Sequence, residues 1–150
     1  MAGRDRFDTD VLDTAGRTHV VVALGTNDLG HPGVIAPKSE LPSPDELIRA
    51  LDDVAGRARA AGLGIILATI LPFLPGTGFD AAREEIRVAV NEWMRRRSGA
   101  PVIDFDAALR DESAPGQLAP AYDGGDHVHP SSEGLDRMAD EAARVIALTV

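Results

Sequence analysis

The chain has 150 residues, of which 44% are hydrophobic and 26% charged, as expected of an ordinary globular domain rather than a disordered chain. Its 15 basic and 24 acidic residues give a formal net charge of −9, which argues against nucleic acid or an anionic membrane as the main partner. The absence of cysteine excludes disulfides, thiolate metal sites and a cysteine nucleophile. No apolar stretch approaches the ~20 residues that span a bilayer.

The first predicted strand and helix follow the N-terminal segment. His19–Leu24 is a continuous, mostly β-branched apolar run, which is typical of a strand buried on both faces. A helix start is predicted at Ser43, with Pro44 at the first helical position and Glu46 completing a capping box. Gly62 can end this helix. The residues predicted on its buried face are Leu47, Leu51, Val54, Ala55 and Ala58.

A second strand and helix come next, followed by a third strand. Leu63–Leu71 predicts another buried strand, and Asp80 can cap a helix that runs to about Arg97. Val102–Phe105 predicts a short third strand. The basic cluster 95–97 suits the negative end of the helix dipole, which favours a structural role over a ligand site. The residues predicted to point inward from this helix are Ile86, Val90, Trp93 and Met94.

The C-terminal part is predicted as a loop and a final helix. Segment 107–130 is rich in Pro, Gly and Asp, which indicates a loop. The last helix is expected to start at Ser131 or Ser132. The residues predicted on its buried face are Leu135, Met138, Ala139, Ala142, Val145, Ile146 and Thr149.

This alternation of strands and amphipathic helices predicts an α/β fold, a three-layer αβα sandwich around a parallel sheet. No linker or internal repeat interrupts the pattern, so residues 1–150 are expected to form one domain. In such sheets ligands bind beyond the carboxyl ends of the strands. The polar residues predicted at that edge are Gly25–Asp28, Thr69, Asp104, Asp106 and Asp126–His129.

Asp126 and His129 form the clearest candidate for chemistry. A carboxylate three residues before a histidine in a turn can bind the imidazole Nδ1 and leave Nε2 free as a general base. The simpler interpretation is a loop histidine with an acid near the N-terminus of the next helix, where negative charge is favourable anyway.

Gly25–Asp28 is the second candidate, directly after a buried strand. Gly25 permits a sharp turn, and Asn27 could present its amide as a donor to a developing oxyanion. The alternative is that Asn27 and Asp28 only form a turn, which both residue types favour.

Together these segments resemble the SGNH hydrolase family, also called GDSL esterases and lipases. Gly25–Asp28 matches the family's GxND block, and Asp126–Pro130 matches its DxxHP block. The resemblance covers nearly the whole chain in order, and is to the branch that holds bacterial secreted esterases and carbohydrate acetylesterases. Further similarity is found at Arg6–Asp8, Ala68–Phe73, Val90–Trp93, Val102–Asp106 and Gly134.

The resemblance implies a flavodoxin-like sheet and an esterase mechanism without a cofactor. His129 would be the general base, Asp126 its orienting carboxylate and Asn27 one oxyanion donor, with Gly25 and Asp28 supporting the turn. A serine would attack the acyl carbonyl, and His129 would then activate water to release the acyl group. The expected substrates are short acyl esters, such as acetyl groups on carbohydrates or small molecules.

The sequence departs from the family at its nucleophile. The Gly-Asp-Ser block and the second block, which supplies a glycine donor, are both absent, so we expect the chain as given to be catalytically incomplete and N-terminally truncated. Any export signal would then lie upstream, since segment 1–13 lacks the apolar centre of a signal peptide. Without the family's first strands, Val20–Leu24 should form an exposed apolar edge that invites self-association.

Three other interpretations remain open. The chain could be a non-catalytic binding subunit that holds an acylated ligand or a partner chain, or an unrelated flavodoxin-like binding domain. His127 and His129 could bind a metal together with Asp123 or Asp126. The sequence does not distinguish hydrolysis from acyl transfer.

A glycosidase-like carboxylate pair is a further alternative. Asp104 and Asp106 could serve as the two acids of such a site. The more ordinary interpretation is that they are acids facing solvent at the end of a strand.

Overall fold

The computed structural model describes residues 3–150 and shows a three-stranded parallel sheet. Strand β1 (His19–Val22) pairs with the central strand β2 (Gly64–Ala68), which pairs with β3 (Val102–Ile103). Helices cover both faces of the sheet, so the predicted α/β sandwich is confirmed. No helix among the residues described is long and apolar enough to cross a membrane.

The three strands are shorter than the apolar runs that predict them. On the β3 side, Asp104 leaves the sheet and accepts a hydrogen bond from the Ala107 N–H, at 3.1 Å. This contact starts helix α5 (Phe105–Leu109), which lies partly inside the segment predicted as a loop. The loop prediction is therefore wrong at its start, because the capping carboxylate outweighs the turn-rich composition that follows.

Helix α3 (Pro44–Ala60) confirms the predicted capping box. The Ser43 side chain accepts from the Glu46 N–H, and the Ser43 N–H donates to Glu46 Oε2 at 2.8 Å. At the other end Gly62 has a φ of 75°, the left-handed conformation expected of a helix stop. All five residues predicted on the inner face of α3 are buried.

Helix α4 (Ala81–Arg96) packs beside α3 on the same face of the sheet. Its N-terminus is capped by Asp80 as predicted, with the Arg83 N–H donating at 3.0 Å. The predicted inward residues Ile86, Val90 and Met94 are buried, whereas Trp93 is only partly buried. This face holds the larger hydrophobic core.

The opposite face is covered by α5 and by α6 (Ser132–Thr149), which Ser131 caps. Val145 is buried here as predicted, but Leu135, Ala139 and Ile146 are exposed, contrary to prediction. Helix α6 packs mainly on β3 and α5, so part of its apolar face has no sheet beneath it.

The apolar residues of α6 are exposed because the sheet ends at β1. Within residues 3–150 no further strand pairs with β1 on its outer side. Val21, on the α6 side of the sheet, is 44% exposed, and Leu24 is 42% exposed. The prediction of a strand buried on both faces is therefore wrong for β1, while the predicted exposure of its edge is confirmed.

Two short helical segments complete the structure. Helix α1 (Gly3–Phe7) leads into a π-helical turn (Asp8–Leu12) and buries Phe7 against α3. Helix α2 (Thr26–Gly30) follows β1, where only a turn was predicted. Both candidate segments for chemistry thus lie beyond the carboxyl ends of strands or in the loop before α6.

Candidate active site

Gly25 sets the direction of the chain between β1 and α2. Its φ is 124°, a conformation that residues with a side chain rarely adopt. A Cβ at this position would also lie 2.5 Å from Cδ1 of Ile70. The chain can therefore turn tightly here and place Asn27, which is exposed, in the first turn of α2. Asp28 lies beside it and is exposed as well.

Arg83, on α4, binds the C-terminal end of α2 and the residues just after it. Its guanidinium donates to the carbonyl of Leu29 at 2.8 Å and to that of Pro32 at 2.7 Å, and the residue is only 6% exposed. A third bond joins Nη1 of Arg83 to Asp80 at 2.6 Å. The sequence analysis missed this anchor, because the residues it joins are far apart along the chain.

Asp126 and His129 make the contact that their spacing predicts. Oδ2 of Asp126 lies 2.6 Å from Nδ1 of His129, and Oδ1 accepts the N–H groups of Val128 and His129 at 3.0 and 2.8 Å. The bond from the His129 N–H, then the imidazole and the Val128 N–H, hold the pKa of Asp126 well below its usual range. An ionised Asp126 can only accept, so Nδ1 carries the proton and Nε2 is left free.

Asp123 and His127 form a second pair of this kind, which the sequence analysis did not predict. Oδ2 of Asp123 lies 2.6 Å from Nδ1 of His127, while Oδ1 accepts from the Gly125 and His127 N–H groups at 2.8 and 3.0 Å. Burial alone would raise the pKa of Asp123, but these hydrogen bonds outweigh it and lower the pKa. An aspartate four residues before a histidine in a turn-rich loop was the available signal.

The alternative of a metal site on His127 and His129 requires a third ligand beside them. Each imidazole contacts its own carboxylate through Nδ1, Asp123 or Asp126. Residues 3–150 contain no group of three or more His, Asp or Glu side chains placed to hold a metal ion. The alternative of a metal site on His127 and His129 is therefore not supported.

The segment between Phe73 and Phe79 lies between α2 and the His129 loop. The Phe79 ring stacks on Phe73 with centroids 4.1 Å apart, and packs so closely on Gly30 that a Cβ there would meet it at 2.6 Å. Gly76, in the same segment, has no room for a Cβ because Val128 lies against it. The segments that carry Asn27 and His129 therefore both pack against segment 73–79, through Gly30 and Val128 respectively.

A buried ionic network supports this edge of the sheet. Asp106 is 3% exposed and binds Arg87 at 2.7 Å and Arg95 at 2.6 Å. Arg95 also binds Asp104 at 2.7 Å, and Thr69 donates to Asp104 and accepts from the Asp106 N–H. The two acids are therefore held by cations instead of facing solvent, which argues against a glycosidase pair. Arg95 is structural as predicted, through these contacts.

None of the serines in the described chain is hydrogen-bonded to His129. Ser131, the nearest in sequence, donates to the Ala121 carbonyl at 2.8 Å and accepts from the Gly134 N–H, as expected of a helix cap. Ser43 caps α3, and Ser113 binds Asp111. Within residues 3–150, His129 is therefore paired with the Asp126 carboxylate, but no serine hydroxyl is hydrogen-bonded to it.

The chain thus combines a parallel α/β sheet with a histidine–carboxylate pair in the loop before its last helix. The chain matches the model of the GDSL-like Lipase/Acylhydrolase family over residues 2–137. The protein therefore belongs to this family. The alternative of an unrelated flavodoxin-like binding domain is wrong.

Solved structures show the same fold. A GDSL-like lipase from Bacteroides thetaiotaomicron is 24% identical, with a TM-score of 0.77 over 98% of this chain and 70% of its own. An alpha/beta hydrolase from the metagenome of Lake Arreo is 22% identical, with a TM-score of 0.73 over 98% and 67% of the two chains.

An acetylxylan esterase from Geobacillus stearothermophilus is also similar in fold. It is 23% identical, with a TM-score of 0.71 over 95% of this chain and 65% of its own. A search of curated proteins gives no significant match. The chain thus spans about two thirds of the length of these solved relatives.

Proposed function

We propose that this protein acts as an ester hydrolase with His129 as the general base. The observation that carries the proposal is the 2.6 Å contact between Asp126 and the Nδ1 of His129, in a chain of an acylhydrolase family. The contact orients the imidazole and leaves Nε2 free to take a proton. The exposed side chain of Asn27 supplies one oxyanion donor. Gly25 and Asp28 shape the turn that presents it.

The nucleophilic serine comes, in this proposal, from polypeptide outside residues 1–150. His129 takes the hydroxyl proton as the serine oxygen bonds to the acyl carbon, and returns it to the departing alcohol. Water then gives its proton to His129 and adds to the acyl-enzyme, which releases the acid and restores the serine. Residues 1–150 would form the base-bearing part of a single hydrolase domain, and no step requires a cofactor.

Short acyl esters are the substrates we propose, acetyl groups on carbohydrates or small molecules in particular. The pair lies in an open setting, in which the His129 side chain is 80% exposed. A neighbour of the same fold is an acetylxylan esterase. Acyl transfer to another alcohol would use the same residues, so an assay must measure both products.

A non-catalytic binding subunit is the second candidate. It is favoured by one observation, that no serine in the described chain is hydrogen-bonded to His129. In that case the edge formed by α2 and the His129 loop would hold an acylated ligand without cleaving it.

The two candidates are separated by the intact mass of the protein isolated from its own organism, with its N-terminal peptide identified. For a hydrolase we expect a heavier chain that carries a Gly-Asp-Ser segment, reacts with a fluorophosphonate and releases acetate from acetylated oligosaccharides. His129→Ala in that chain should lower turnover by several orders of magnitude. A native mass equal to 150 residues, without labelling or turnover, would refute the hydrolase and leave the binding role.

A further inference from the structure

The loop that carries His129 contains two aspartate–histidine pairs, only one of which the proposed mechanism uses. In both pairs the carboxylate lies 2.6 Å from Nδ1 and also accepts two backbone N–H groups. The unused carboxylate, Asp123, is the more sheltered, with 15% of its side chain exposed against 56% for Asp126. Its bonds are therefore less open to competition from water.

His127 adopts a conformation that needs such support. Its φ is 66°, and it is the one residue other than glycine with a positive φ in segment 3–150. A backbone of this kind is strained and persists only where its surroundings hold it in place. Asp123 binds both the N–H and the imidazole of His127, so backbone and side chain are held by the same carboxylate.

These bonds act directly on the neighbours of the catalytic pair. Asp123 binds the N–H groups of Gly125 and His127, which are the residues on either side of Asp126. In addition the Gly124 N–H donates to the His129 carbonyl at 2.8 Å, next to a backbone bridge between Asp123 and the residue after His129. Both ends of the segment that carries Asp126 and His129 are thus tied to Asp123 or its neighbour.

We propose that Asp123 and His127 are positioning residues for the general base. They hold the backbone on both sides of Asp126, so that its carboxylate meets Nδ1 of His129 and keeps Nε2 as the free nitrogen. The catalytic meaning of this arrangement rests on the proposed function. The positioning itself can be measured without any turnover.

The test is ¹⁵N NMR of the histidine side chains in the 150-residue protein near neutral pH. In the unmodified chain we expect His129 to show the tautomer with the proton on Nδ1. His127→Ala should give a mixture of tautomers at His129, because it removes the imidazole and strains the backbone. His127→Asn should preserve the single tautomer, since Asn tolerates positive φ and its amide can donate to Asp123.

Asp123→Ala should mix the tautomers of His129 as well. The matched control is Asp111→Ala, which removes a carboxylate that binds a backbone N–H two residues on, but in another loop. Circular dichroism confirms that each variant is folded. A single Nδ1–H tautomer of His129 in folded His127→Ala and Asp123→Ala would overturn the proposal, as would equal mixing in His127→Asn and His127→Ala.

Kinetics on the longer chain that carries the Gly-Asp-Ser segment provide a second readout. His127→Ala should lower kcat on the order of 10²-fold through misplacement of the base. KM should stay nearly unchanged, and His127→Asn should restore kcat. If the tautomers respond as expected and no ester is cleaved, the proposed function fails while the positioning role stands.

Discussion

Arg87 and Asp106 form an ion pair at 2.7 Å in which both side chains are almost entirely buried, 2% and 4% exposed. The guanidinium also donates to the Ile70 carbonyl at 3.1 Å and binds Glu84 at 2.6 Å. Burial would lower the pKa of Arg87, but Glu84 and Asp106 together raise it. The pair therefore joins α4, the chain just after β2 and α5 into one unit.

Loss of the Arg87 guanidinium should strongly destabilise the protein. Arg87→Met leaves Asp106 with Arg95 but removes its buried partner, and breaking buried pairs costs about 3–5 kcal/mol. The free energy of unfolding in urea measures the effect. Arg96→Met is the matched control in the same helix, because its pair with Glu92 is exposed and worth about 0–1 kcal/mol. Equal losses in the two variants would contradict a structural role for the buried pair.

Stability should fall in acid, in part through Asp104. Burial would raise the pKa of this carboxyl, but the bond from Arg95 and further hydrogen bonds lower it below 3.8. The folded protein therefore binds this proton less readily than the unfolded chain does. The stabilisation is fully present above about pH 4 and is lost as the pH falls through the folded pKa. Urea unfolding from pH 7 to pH 3 should show a shallower decline for Asp104→Asn, and identical slopes would contradict the assignment.

Self-association through β1 remains a prediction. Val21 and Leu24 are 44% and 42% exposed beside an edge with which no other strand of residues 3–150 pairs. A groove of about 300 Å³ between α1 and β1 adjoins this edge. We expect a second copy of the chain to pair there. Sedimentation velocity should show a dimer that Val21→Lys with Leu24→Lys converts to monomer, while the exposed Val88→Lys does not. A monomer at all concentrations would refute the prediction.

Loss of the Asn27 amide should lower turnover in the longer chain that carries the Gly-Asp-Ser segment. Removal of one oxyanion donor typically lowers kcat by about 10²- to 10³-fold. Asn27→Ala should therefore reduce acetyl-ester turnover by this factor with little change in KM. His31→Ala, an exposed residue just after α2, is the control. Equal activity of both variants would remove Asn27 from the mechanism.

Local signals predicted the fold best. The caps at Ser43, Asp80 and Ser131 are each found where expected, because a cap depends on residues within one helical turn. The Asp126–His129 contact was predictable for the same reason, since three residues of a turn suffice to form it.

Contacts between distant segments could not be predicted in this way. Arg83 and Arg87 each look like an ordinary surface position on a charged helix, and only the fold shows the carbonyls and carboxylates that surround them. The exposure of Leu135 and Ile146 was missed for a related reason. Periodicity identifies the apolar face of a helix, but not how much of the neighbouring sheet is there to cover it.

Helix α4 connects α2 with α5, since Arg83 binds the Leu29 carbonyl and Arg87 and Arg95 bind Asp106. Asn91, fully buried, adds two bonds of 2.8 Å to the backbone of Ile70, beyond β2. We therefore expect the amides of α4 and β2 to exchange their hydrogens together, in one cooperative opening. The loop around His129 lies outside this unit, and the protection of its amides should depend instead on their hydrogen bonds to Asp123 and Asp126.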